Sequence, residues 1–116
     1  MEIKILTEKI KMEDVRSFAG HWYGTMIKGT VDVAQQKVAL GGDYHIESGE
    51  LLVRFGSKGK DVWGFNIRFE DDGSGILEFD SMVNIKPAQG NKSRSILDEN
   101  IARVAEGVIK SWIEFV

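Results

Sequence analysis

The sequence predicts an α+β fold: a mainly antiparallel sheet of about five strands with two amphipathic helices on one face, in the order β-α-β-β-(short element)-β-β-α. Three observations predict it. Two pairs of alternating segments are each joined by a short polar link, the pattern of a hairpin. Two other segments carry apolar residues at helical spacing. The chain has 116 residues, 42% of them apolar and 28% charged, which suits one ordinary globular core, and residues 1–116 are read as a single domain.

Each element follows from its own pattern. Glu2 to Leu6 reads as a short strand. From Met12 to Trp22, Val15, Phe18, Ala19 and Trp22 fall on one helical face. Glu13 and Asp14 suit the positive end of that helix, His21 its negative end, and Gly24 its stop. Lys11 is a poor N-cap. Met26 to Ala34 and Lys37 to Glu47 alternate as strands about a Gln35-Gln36 turn, the second with Asp43, His45 and Glu47 on its polar side. Ser48 to Phe55 fits either a strand or a short helix capped by Ser48. Asp61 to Phe69 and Ile76 to Ile85 form the second hairpin about Asp71-Asp72-Gly73-Ser74-Gly75. Pro87 to Ser95 is a polar loop. Ile101, Val104, Ala105, Val108, Ile109, Trp112 and Ile113 make the strongest apolar stripe, with Asp98 as N-cap. Trp63 and Trp112 are expected in the core.

Composition excludes several function classes. The chain has no cysteine, so thiolate catalysis, Cys-based zinc sites and disulfide switches are out. A formal charge of -3 opposes nucleic-acid binding, and no Asp…[Asp/Glu]-x-Lys nuclease pattern is present. The N-terminal segment is too short and too charged for a secretory signal, and no apolar run is long enough to span a membrane. A cytoplasmic protein is expected.

If the helices cover one sheet face, the opposite face gathers Lys28, Asp32, Asp43, His45, Glu47, Asn66, Arg68, Glu78, Asp80 and Asn84, because residues two apart on a strand share a side. His45 titrates near neutrality and can move a proton or ligate a metal. Asp43, His45 and Asp80 are therefore the candidate catalytic residues. Glu78 and Asp80 are the candidate metal ligands, with a divalent ion as the candidate cofactor. Lys28, Asn84 and the loop residues Asn91, Lys92, Ser93 and Arg94 are the candidate ligand-binding residues, since cations, hydroxyls and amides there suit phosphate or carboxylate. A solvated sheet face or an oligomer interface explains the same pattern. Gly41-Gly42 marks a bulge or a close approach by another group.

Four motifs occur in order: Gly41-Gly42-Asp43-Tyr44-His45; Gly56-Ser57 with Asp61-Val62-Trp63-Gly64; Glu78-Phe79-Asp80-Ser81-Met82-Val83-Asn84; and Gly90-Asn91-Lys92-Ser93-Arg94. Together they resemble, over nearly the whole chain, a small prokaryotic family known only as a domain of unknown function. That resemblance brings no activity or cofactor. It implies a site at these polar positions. The family pattern has a more helical, Glu- and Leu-rich segment after the His, where this chain reads Ser48-Gly49-Glu50-Leu51-Leu52-Val53-Arg54-Phe55. Two functions are therefore expected: a small polar, anionic or metal ligand site with hydrolysis as its chemistry, or a non-catalytic interaction module or homodimer using exposed residues such as Tyr44, Phe55 and Phe115.

Overall fold

The computed structural model of the chain describes residues 2–20 and 24–115. In chain order its elements are β1 (Ile3–Ile5), β2 (Ile10–Lys11), α1 (Met12–Ala19), β3 (Met26–Asp32), β4 (Lys37–Gly41), α2 (His45–Arg54), β5 (Val62–Phe69), β6 (Gly75–Glu78), α3 (Glu99–Trp112) and β7 (Ile113–Glu114). The large sheet is antiparallel throughout and has the order β1-β4-β3-β5-β6. This is the α+β fold with the five-stranded antiparallel sheet that the pattern predicts. Strands β2 and β7 form a small parallel pair that ties the start of α1 to the end of α3. Among the described residues no helix is long and apolar enough to cross a membrane.

The main core lies under α1 and α3. Val15 and Ala19 of α1 and Ala105 and Ile109 of α3 pack with Ile27, Val31, Val38, Leu40, Phe65 and Ile67 of the sheet, all fully buried. Register explains the shared face: Val31 is opposite both Val38 and Trp63. Each Val, Leu, Ile or Phe among them contributes about 1.5–3 kcal/mol on burial. Trp63 is in this cluster and Trp112 packs against it. The first helix ends earlier than expected, at Gly20 (φ +57) rather than Gly24. His21 and Trp22, expected at its C-terminal end, lie outside the described residues.

The second face departs from expectation. Lys37 to Glu47 is not one strand; β4 ends at Gly41 and a helix begins at His45. Gly41 (φ +106) and Gly42 (φ +88) turn the chain, and a Cβ on Gly41 would strike the Glu2 carbonyl oxygen. Glu47 Oε1 then accepts the amides of Asp43 (2.8 Å) and Tyr44 (2.9 Å), satisfying N–H groups at the helix start. The open segment 48–55 is thus almost wholly helical. At its far end Gly56 (φ +103) lets Ser57 N reach Leu52 O at 3.0 Å, closing the helix.

Helix α2 lies across the sheet face that was expected to be open. Thr30 Oγ1 donates to Ser48 Oγ at 3.0 Å, and Leu52 packs against Ala39 and Val62. Thr30, Asp32 and Asn66 are buried as a result. These three polar groups are covered rather than solvated, while Arg68 and Glu78 on the same face keep solvent exposure.

The expected strand over Ile76 to Ile85 is also shortened, ending at Glu78. Ser81 then caps a short 3₁₀ turn over Met82–Asn84 by accepting Val83 N at 3.2 Å. That turn rests on Gly64, where a Cβ would meet Ser81 Oγ, Ser81 Cβ at 2.5 Å and Val83 Cγ2 at 2.8 Å. Gly64→Ala is therefore expected to cost about 1–3 kcal/mol through overpacking. Urea denaturation followed by circular dichroism measures it; an unchanged midpoint would contradict this packing.

Candidate functional site

The cleft is built on Asn66. This residue sits on β5, between the N-terminus of α2 and the chain that follows β6, and is 4% exposed. Its Nδ2 donates to the Asp80 carbonyl at 3.0 Å, so its Oδ1 faces the ring of His45. His45 Nε2 lies 2.8 Å from that Oδ1 and 3.0 Å from the Phe65 carbonyl oxygen. Both partners only accept, so Nε2 carries the proton and donates to them. In a neutral ring Nδ1 then holds the lone pair.

Burial lowers the pKa of His45 below its ordinary value of 6.5, the hydrogen bonds to Phe65 and Asn66 oppose that shift, Lys28 adds to it and Asp80 resists it. The position of His45 in the first turn of α2, at the positive end of the helix, also disfavours imidazolium.

A cavity of about 500 Å³ opens over this floor. Lys28, His45, Glu78, Asp80 and Arg94 line it, together with Met26, Tyr44, Ile46 and Met82. Arg94 Nε meets Asp80 Oδ1 at 2.8 Å, and Arg68 meets Glu78 at 3.7 Å. Lys28 Nζ donates to the Asp43 carbonyl at 2.6 Å and lies 5.7 Å from the Tyr44 ring centroid.

Two buried asparagines hold the segment that carries Asp80 and Arg94, Asn84 tying it to the sheet and Asn91 bracing it from within. Asn84 Oδ1 accepts Gly64 N at 2.7 Å, and its Nδ2 donates to Gly64 O at 3.0 Å and to Arg94 O at 2.9 Å. Asn91 Nδ2 donates to the carbonyls of Asn84 (2.7 Å), Ser93 (3.1 Å) and Ser95 (2.8 Å), while its Oδ1 accepts Leu97 N at 2.9 Å. Ser81 N adds a bond to Arg94 O at 3.0 Å.

Five of the expected site residues therefore share one cavity: Lys28, His45, Glu78, Asp80 and Arg94. The others do not join them. Asp43 is exposed ahead of α2 and does not line the cavity, because the chain has already left β4; its carbonyl accepts Lys28 Nζ. Asn84 and Asn91, expected as ligand-binding residues, are buried braces with both side-chain ends engaged. Ser93 bonds locally with Ser95 (2.9 Å), and exposed Lys92 does not line the cavity. Among the described residues no group of three or more His, Asp or Glu side chains stands where it could hold a metal ion. Glu78 and Asp80, expected as metal ligands, each face an arginine instead.

Sequence reasoning placed Asn66 on the polar face without a role. Its only signal was a neutral amide at a strand position. Tyr44, expected as an exposed interaction residue, stands on the rim with Ile46 and Met82.

The chain belongs to a family described as a protein of unknown function (DUF5674). The family model matches residues 4–112, which takes in every residue of the cleft. No curated protein and no solved structure matches the chain.

Two expectations follow from this geometry. Asn84→Ala removes three buried bonds and is expected to destabilise the fold by roughly 2–4 kcal/mol in chemical denaturation; a loss under about 0.5 kcal/mol would show that the brace is dispensable. In ¹⁵N NMR, His45 is expected to show the Nε2-protonated tautomer at neutral pH and to titrate below 6.5. Because the folded value lies below the unfolded one, His45 favours folding fully above pH 6.5. That contribution is lost as pH falls through the lowered folded value. His45→Gln removes this part of the acid dependence.

Proposed function

We propose that the cleft binds a small molecule bearing a carboxylate or phosphate, and that His45 is the neutral proton acceptor within it. The observation that carries this reading is the convergence of Lys28, His45 and Arg94 on one cavity from three separate parts of the chain. Arg94 is held at Nε by Asp80 and remains 58% exposed. A guanidinium has five N–H donors, more than one carboxylate can engage, so it offers an anion a fork that is already oriented. The acidic charge of Glu78 and Asp80 is offset by their arginines. His45 presents Nδ1 as an acceptor, because its other nitrogen is fixed as a donor. Such an imidazole can take a proton from a bound water molecule, and hydrolysis of an ester or phosphoester is the chemistry it would serve.

A second reading, a protein-interaction surface, is supported by the exposure of Tyr44 (69%), Ile46 (55%) and Met82 (67%) around the cavity.

The test is an NMR titration with inorganic phosphate and with acetate. Anion binding is expected to raise the His45 pKa and to shift the Arg94 Nε resonance. Arg94→Gln should weaken binding by about tenfold or more. If neither anion moves His45 in the wild-type protein, the ligand reading fails and the interaction surface is favoured.

A further inference from the structure

We infer that the ligand of the cleft is an anion with an apolar tail, and that the tail lies in a second groove along α2. This inference rests on the anion-binding reading of the cleft. The groove has a volume of about 440 Å³ and is lined by Ile46, Gly49, Val53, Val62 and Val83, among others. Ile46 and Val83 also line the His45 cavity, so the two hollows adjoin at these residues.

The chemistry of the groove differs from that of the cavity. Ile46 and Val53 are about half exposed on one face of α2, seven residues apart. That spacing sets them about 10 Å apart along the helix axis. At Gly59, which also borders the groove, an added Cβ would meet nothing within 4 Å, so the space there is open. Two charged residues, Glu50 and Lys86, also border the groove; Lys86 Nζ donates to Gly59 O at 2.8 Å and lies 5.2 Å from the Trp63 ring centroid. On the anion-binding reading the head sits in the cleft with Lys28 and Arg94, and an unbranched hydrocarbon chain runs along the adjoining groove between Ile46 and Val53. The ligand class is a medium-chain carboxylate or a molecule that carries one.

The experiment titrates the protein with acetate, butyrate, hexanoate and octanoate, each below its aggregation limit, and follows His45 by NMR. Affinity is expected to rise about fourfold per methylene buried in the groove. In Val53→Glu the rise with chain length should vanish while the response to acetate stays as in the wild type. Circular dichroism confirms that the variant is folded. If acetate moves His45 but octanoate binds no more tightly, or if Val53→Glu keeps the full chain-length dependence, the tail groove is refuted and the anion site stands. If no member of the series moves His45, the anion site itself is refuted and the tail groove with it.

Discussion

The cleft depends on a side chain standing in for a strand. Strand β6 leaves the ladder at Glu78, and the next backbone group of β5 in line, Gly64, would lose its partner. Asn84 supplies one, accepting Gly64 N and donating to Gly64 O as a strand residue would. The substitution works only because residue 64 lacks a side chain, since Ser81 occupies the space of its Cβ. Buried backbone groups must be paired, and an asparagine amide presents a carbonyl acceptor and an NH2 donor side by side, as a peptide group does. Asn91 then secures the carbonyl of Asn84 and the turn that ends at Arg94. The wall of the cavity is in effect an irregular continuation of the sheet.

From that constraint the electrostatics follow. With the backbone of Asp80 fixed, its carbonyl orients Asn66, and Asn66 orients His45. Burial and the helix N-terminus both oppose protonation of the ring, so the same arrangement that seats α2 on the sheet keeps a neutral imidazole over the cavity. Structure and chemistry share residues here. Asn66 closes a buried polar network and also sets the tautomer that leaves the lone pair of a neutral ring on Nδ1.

Much of the fold was legible because the signals were local. The apolar stripe of α3 and the alternation of β3 and β5 report burial on one side of an element, and a sequence records that directly. The polar residues were legible as a set but not as an arrangement. Alternation continued past Gly41 through Tyr44 and Ile46, and it looked like a strand. Two positive-φ glycines and the reach of Glu47 to the preceding amides decided for a helix. Likewise Phe79, Val83 and Ile85 continued a two-residue period after the ladder had ended.

By itself the sequence determined the α+β class, the apolar face under α1 and α3, and the absence of any thiol chemistry, since these depend on residue type and spacing alone. Only the tertiary structure decided that a third helix covers the polar face, that Asn84 and Asn91 are braces, and that His45, Asp80 and Arg94 face one cavity. The physical reason is that a polar side chain takes its role from whichever unpaired group lies within hydrogen-bond reach. That group is set by contacts between residues far apart in the chain.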